Sequence, residues 1–227
     1  MKLIRGTSVA LVWAMLQIAP ALAGPAEDYA AAFKSYQDGD VVGAMPGLRK
    51  AAAAGHAKAQ VLLAEILDRS EFDEEAVALY RKAAEQGDAD GMFGLGVLTA
   101  AGEGVAKKDL LEGRRWIRKA AEMGHKQAIG VMAQAYLKGE LGLSEADLNS
   151  AEALRWIELA AQQDYLPAVD ALAQAYRSGG PYGLAADGKL AAQYLAQANR
   201  LRGIDPAKTK KKGKKIQVVP AAPQEKE

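Results

Sequence analysis

The side chains that most often carry catalysis or metal binding are scarce in this chain. Its 227 residues include only two histidines, His56 and His125, and no cysteine. A zinc site or a catalytic triad needs several His, Cys or carboxylate groups that converge on one point. Both histidines directly follow a glycine, and this matched placement predicts that they are turn residues. We therefore predict no enzyme activity, no metal site and no cofactor.

Two other patterns could do chemistry in a different context. The carboxylates concentrated in residues 71–75 could serve a glycosidase, which uses a pair of acids. They are better explained as a solvated connection and the acidic first turn of a helix. Gly102 and Gly104 have the spacing of a phosphate-binding loop but no preceding strand. Neither pattern predicts a catalytic site.

The amino-terminal segment has the features of a secretory signal. Lys2 and Arg5 precede an apolar run over residues 9–18, and Ala21-Leu22-Ala23 is an A-x-A cleavage pattern. The apolar run is shorter than the ~20 residues that span a bilayer, which disfavours the alternative of a retained membrane anchor. We predict cleavage after Ala23, a periplasmic or secreted protein, and no transmembrane helix in the mature chain.

A lysine-rich tail is the strongest charge feature. Six lysines lie within residues 208–215, whereas the body over residues 24–205 has a net charge of −6. The tail lysines are Lys208, Lys210, Lys211, Lys212, Lys214 and Lys215. They could bind an anionic envelope component, fold back onto the body, or only solubilise the terminus. We predict no nucleic-acid partner, because an exported protein does not routinely meet one.

Internal repeats organise the rest of the chain. A helix-ending motif recurs as KAAAAGH at 50–56, KAAEQGD at 82–88, KAAEMGH at 119–125 and LAAQQDY at 159–165, with a weaker LAQANR at 195–200. The offsets of 32, 37, 40 and 36 residues bracket the ~34 of a tetratricopeptide repeat. The motif predicts the end of a second helix, and its glycine suits a left-handed turn.

An earlier helix end precedes each of these motifs, so each repeat is predicted to be a helical hairpin. Three positions before each earlier end stands a mostly small side chain, which lets the two helices of a hairpin approach closely. These positions are Phe33, Ala64, Gly96, Ala133 and Ala173. Trp116 and Trp156 occupy the same position in successive second helices and are predicted to pack in the interior.

The third repeat carries a recognisable signature. Residues 102–125 read GEGVAKKDLLEGRRWIRKAAEMGH, which resembles the G-x-G-V-x-x-D and W-[IY]-x-K-A-A-E-x-G pattern of Sel-one-like repeats. The fourth repeat matches well, the second is nearer a plain tetratricopeptide repeat, and the first and fifth depart further. The resemblance covers about residues 26–200. It implies an all-α chain, an α/α solenoid (right-handed superhelix) of about five helix-turn-helix repeats.

The resemblance also implies a division of the chain and a function. Residues 1–23 form the signal peptide, residues 24–203 the solenoid and residues 204–227 the lysine-rich tail. Such proteins are scaffolds or adaptors whose first helices line a concave groove for a protein or peptide partner. We predict an adaptor of bacterial envelope signalling, secretion or assembly. The alternative is an envelope-surface or polysaccharide-associated protein that acts through its basic tail.

The groove residues follow from helical spacing. The residue after each small position, and residues one turn away, should face the partner. The predicted partner-binding residues are Lys34, Val61, Glu65, Asp68, Phe93, Val97, Gln134, Asp170, Gln174 and Arg177, and Gly130 joins them by the same spacing. Phe93 has two interpretations at this point, packing between repeats or an aromatic anchor in the groove.

Overall fold

The computed structural model of the protein describes residues 24–204, where eleven α-helices and one 3-10 turn form without any strand. The predicted signal peptide and the tail lysines lie outside the described residues. The helices are α1 Pro25–Gln37, α2 Val41–Ala53, α3 Ala57–Asp68, α4 Asp73–Glu85, α5 Ala89–Ala101, α6 Leu110–Glu122, α7 Lys126–Lys138, α8 Glu145–Leu148, α9 Ala151–Gln162, α10 Leu166–Ser178 and α11 Gly188–Leu201, and the 3-10 turn is Pro181–Gly183. The all-α prediction is confirmed.

Ten of these helices form five consecutive hairpins. The pairs are α1 with α2, α3 with α4, α5 with α6, α7 with α9, and α10 with α11, and each second helix also packs on the first helix of the next hairpin. The short α8 lies in the connection of the fourth hairpin. First helices also contact one another, α3 with α5 and α7 with α10. The five predicted repeats therefore stack in chain order.

The turns between successive hairpins share one geometry. Each contains three residues, at 54–56, 86–88, 123–125 and 163–165. The middle residue is left-handed in all four, with φ of +89°, +83° and +85° at Gly55, Gly87 and Gly124 and +60° at Asp164. Asp tolerates this conformation better than most residues with a Cβ. Its carboxylate also accepts hydrogen bonds from Gln197 at 2.9 Å and Arg200 at 3.2 Å.

Two clusters of buried side chains form the interior. The first extends from α1 to α5, between Ala32 and Leu98, and the second from α6 to α11, between Ile117 and Ala198. Trp156 is fully buried in the second cluster, as predicted. Trp116 is only half-buried, packs against the first cluster, and has the Lys119 ammonium 4.0 Å from its ring centre.

The third hairpin joins the two clusters through a glycine crossing. A Cβ built on Gly96 would lie 2.9 Å from the Gly113 carbonyl oxygen, and one on Gly113 would lie 2.7 Å from the Gly96 carbonyl oxygen. No side chain fits between backbones at this separation. Gly96 is the small position that was predicted in the first helix. It contacts a second glycine, Gly113 in α6, which the repeat pattern did not predict.

Residues 24–204 contain neither a helix that could span a membrane nor a cluster that could hold a metal ion. None of the helices in this range is long and apolar enough to cross a membrane. In the same range, no three or more His, Asp or Glu side chains are grouped so that they could hold a metal ion.

Candidate partner-binding groove

Four of the predicted groove residues meet in one cleft. Glu65 and Asp68 of α3 and Phe93 and Val97 of α5 line a volume of about 180 Å³, which His125 closes at the start of α7. We call this the acidic cleft because three of its lining residues are carboxylates, the third being Asp90. Val97 retains 39% of its surface exposed. An apolar surface and carboxylates therefore face the same opening.

A wider cleft adjoins the first. Its volume is about 910 Å³, and its lining includes Phe93, Gly130, Val131, Gln134 and Tyr165. We call it the open cleft, and the two clefts together the groove. Phe93 and Gln127 line both clefts. The groove therefore extends across the first helices of hairpins two to four.

The remaining predicted residues line neither cleft. Lys34 is exposed and forms an ion pair with Asp38 at 2.7 Å. Asp170 forms an ion pair with Arg202, and Gln174 and Arg177 are exposed on α10. These residues lie on the first and last hairpins, beyond the ends of the groove.

Val61 requires a correction. It is 5% exposed and belongs to the first core cluster, so it presents no surface to a partner. The reason is that α3 packs against α2, α4 and α5 together. Residues on nearly every side of this helix are buried, from Ala59 to Leu67.

Phe93 packs between repeats, and it is also partly open to the groove. Its ring packs against the second core cluster and stacks on the His125 imidazole, with ring centres 4.7 Å apart and planes 28° apart. It also lines both clefts. The aromatic ring is thus fixed in place on one side and available to a partner on the other, which suits an anchor residue.

The two histidines are helix N-caps. His125 Nδ1 accepts a 3.1 Å hydrogen bond from the Ala128 amide, and His56 Nδ1 accepts one of 3.2 Å from the Ala59 amide. His125 Nε2 also lies 3.1 Å from Asp90 Oδ1. Because Nδ1 accepts a hydrogen bond, it carries no proton. The ring proton of a neutral imidazole then lies on Nε2, where it can be donated to Asp90. The predicted turn role is confirmed, and the cap and the stacking on Phe93 are added to it.

His125 therefore stabilises α7 and Phe93 together. We expect His125→Ala to lower the free energy of unfolding by about 1–2 kcal/mol, because the cap is lost and the Phe93 ring loses its support. His125→Asn keeps a side chain that can cap, so its loss should be smaller. Urea unfolding followed by circular dichroism measures both. Equal losses for the two variants would contradict the capping role.

Helical spacing did not identify every residue of the groove. Asp90, Gln127 and His125 lie at or near the amino-terminal ends of first helices, and Tyr165 lies in a turn between hairpins. The spacing rule started from the small residue near the middle of each first helix, so it could not reach them. A usable signal was present in the sequence, since each N-cap directly follows the left-handed turn residue.

Comparison with known proteins decides the family. The sequence-family model of the Sel1 repeat matches residues 73–88, 89–125, 128–165 and 167–202. These matches cover more than half of the chain. The chain belongs to the Sel1 repeat family. The resemblance seen in the third and fourth repeats is therefore confirmed, and the first hairpin lies outside the matched repeats.

Solved structures of Sel1 repeat proteins have the same fold. The crystal structure of c5321, a protective antigen present in uropathogenic Escherichia coli strains that displays an SLR fold, is 27% identical with a TM-score of 0.67. That match covers 78% of this chain and 38% of the antigen, so this chain spans well under half of its length. A Sel1 repeat protein from Oxalobacter formigenes is 29% identical with a TM-score of 0.64, over 76% of this chain and 70% of the other. No curated protein matches the chain.

Sel1 repeat proteins are generally non-catalytic scaffolds that bind other proteins. This chain has the fold of these proteins. The comparisons identify the fold of this Sel1 repeat protein.

Proposed function

We propose that this Sel1 repeat protein is an exported, non-catalytic adaptor that binds a protein partner in its groove, in envelope signalling, secretion or assembly. The observation that carries the proposal is Phe93, an aromatic ring that stacks on His125 and lines both clefts. Aromatic anchors of this kind contribute a large share of the energy at protein interfaces. The sequence of residues 1–23 supports export.

The groove has the composition of an interface core with a polar surround. Phe93, Val97 and Val131 supply apolar surface, while Gln134 and Tyr165 form a polar wall in which the Tyr165 hydroxyl lies 3.1 Å from Gln134 Oε1. Protein interfaces combine an apolar centre with a hydrogen-bonding rim in this way. The open cleft, at about 910 Å³, has room for several side chains of a partner.

Replacement of the anchor tests the proposal. We expect Phe93→Ala to reduce capture of the partner from envelope extract about tenfold or more, because a hot-spot side chain is removed. Val97→Lys, at a more exposed position, should reduce it without disturbing the core. Quantitative mass spectrometry of the captured proteins measures the change, and circular dichroism checks that helical content is retained.

The matched control is Phe72→Ala. Phe72 is 61% exposed and lines neither cleft, so this variant makes the same substitution outside the groove. It should capture the partner as the unchanged protein does. If Phe93→Ala and Val97→Lys both still capture the partner, the groove is not the partner-binding surface.

The alternative is that the protein acts through its lysine-rich tail, which would bind an anionic envelope component. Its six lysines lie outside the described residues, and the charge of residues 208–215 alone supports this role. Replacing the six lysines by glutamine separates the two proposals. The adaptor proposal predicts retained partner capture, whereas a tail-based function predicts loss of association with the envelope while Phe93→Ala has no effect.

A further inference from the structure

We propose that the acidic cleft selects a partner segment in which a lysine or arginine side chain lies next to an apolar side chain. This inference rests on the proposed function and adds the chemistry of the partner to it. Three features of the cleft carry it: carboxylates without a counter-ion, an apolar surface beside them, and a volume suited to one side chain.

Glu65 and Asp68 are carboxylates without a counter-ion among residues 24–204. Neither forms an ion pair in this range, and the two cations that act on Glu65 contact other side chains. Lys58 Nζ lies 2.9 Å from Asp88 Oδ2 and 2.7 Å from Asp90 Oδ2. Arg69 donates a 3.0 Å hydrogen bond to the Tyr36 hydroxyl. Of the three carboxylates that line the cleft, only Asp90 therefore forms an ion pair among the described residues.

Partial burial shifts the pKa of both carboxylates in the same direction. Burial raises the pKa of Glu65; Arg69 opposes the rise, and the carboxylates of Asp90 and Asp68 add to it. Burial also raises the pKa of Asp68. A cation that enters such a partly dehydrated site interacts more strongly than it would at an open surface. The cleft thus favours a positively charged group of a partner over water.

An apolar surface borders the two carboxylates. Phe93 and Val97 line the cleft with them, and Gly94 leaves room for the Tyr80 ring, whose Cε1 would lie 2.5 Å from a Cβ at that position. The methylene chain of a lysine or arginine can pack on such a surface while its charged end reaches the carboxylates. A neighbouring apolar side chain can contact the other side of the Phe93 ring.

The volume of the acidic cleft limits what can enter it. About 180 Å³ is smaller than the 300–1,000 Å³ that small-molecule sites usually occupy, so a single side chain fits the cleft better than a metabolite. The open cleft, at about 910 Å³, begins at the same Phe93 ring. A partner chain can therefore place one cationic side chain in the acidic cleft and continue along α7.

Peptide selection tests this assignment. We would select random heptapeptides displayed on phage against the full chain and against Glu65→Gln/Asp68→Asn. The full chain should select peptides with a basic residue next to an apolar one, and the double variant should lose the basic preference while it keeps the apolar one. The variant Glu85→Gln/Glu122→Gln, which removes the same charge outside the groove, should select as the unchanged chain does.

A double-mutant cycle then measures the contact itself. For a selected peptide we expect glutamine in place of its basic residue to weaken binding about tenfold to the unchanged chain. The same replacement should have little effect on binding to Glu65→Gln/Asp68→Asn. Equal effects on both proteins would overturn the assignment. Peptides that need Phe93 but show no basic preference would overturn it as well and leave the groove itself intact.

The stability of Glu65→Gln and the contribution of the tail serve as controls. Since the folded state raises the pKa of Glu65, its ionised form lowers stability at neutral pH. Glu65→Gln should therefore unfold at the same or a higher urea concentration, so that weaker binding is not a folding defect. Replacement of the six tail lysines by glutamine should leave peptide affinity unchanged. A tenfold rise in affinity would instead indicate that the chain's own tail occupies the cleft and competes with the peptide.

Discussion

Gly113→Ala is expected to destabilise the protein by about 2–3 kcal/mol, although alanine is the better helix former. The new methyl carbon would lie 2.6 Å from the Ala100 Cβ, 2.7 Å from the Gly96 carbonyl oxygen and 2.8 Å from the Ala100 nitrogen. Two of these atoms belong to the backbone of α5, so no side-chain rotation can relieve the contact. The helices must separate where the third hairpin joins the two core clusters.

Gly130→Ala is the matched control for this prediction. Gly130 lies inside α7, and a Cβ built on it has no other atom within 4 Å apart from its chain neighbours and its own helix backbone. The same substitution should therefore stabilise the protein by up to about 1 kcal/mol through helix propensity alone. Urea unfolding compares the two variants. Effects of the same sign would refute the glycine crossing.

Trp156→Ala should cost about 3–5 kcal/mol, the largest loss we expect from truncating one buried side chain. Trp156 is fully buried, and its indole nitrogen lies 3.4 Å from Glu152 Oε1. In a stacked repeat protein each hairpin is stabilised mainly by its neighbours. Hydrogen exchange should therefore accelerate in α7, α9 and α10 more than in α1 to α3.

Trp116→Ala tests the same position in the preceding repeat. Its ring is half-buried and lies under the Lys119 ammonium, so truncation leaves a smaller cavity. We expect a clearly smaller loss of stability than for Trp156→Ala, measured by the same urea titration. Equal losses, or an acceleration of exchange that spreads evenly over all five hairpins, would contradict the division into two core clusters.

The repeat sequence predicted the hairpins because their turns depend on a local conformation. Gly55, Gly87 and Gly124 need a left-handed backbone, and that requirement is visible in the chain itself. The partner of Gly96 was not visible in the same way. Gly113 lies in a different helix, and only the packing of α5 on α6 brings the two backbones together.

The groove was predicted in part, for a related reason. Glu65 and Phe93 line the acidic cleft, while Val61 is buried in the same helix as Glu65. Helical spacing assumes one covered face for each helix, and α3 is covered by three neighbours. His125 was identified as a turn residue, but its contacts with Asp90 and Phe93 depend on how α5 lies beside the start of α7.

The three-residue turns have a consequence for how such a chain can change in length. Most of the variation in repeat length lies in the connections inside hairpins, which grow from residues 38–40 in the first to 139–150 in the fourth. The long helices differ by only one or two residues, and every turn between hairpins keeps three residues. A gene duplication or deletion with both breakpoints at equivalent turns would add or remove one whole hairpin. The new junction would keep its left-handed residue and the following cap. Lineages can therefore lengthen or shorten the groove in whole-hairpin steps, while insertions inside a hairpin change only its connection.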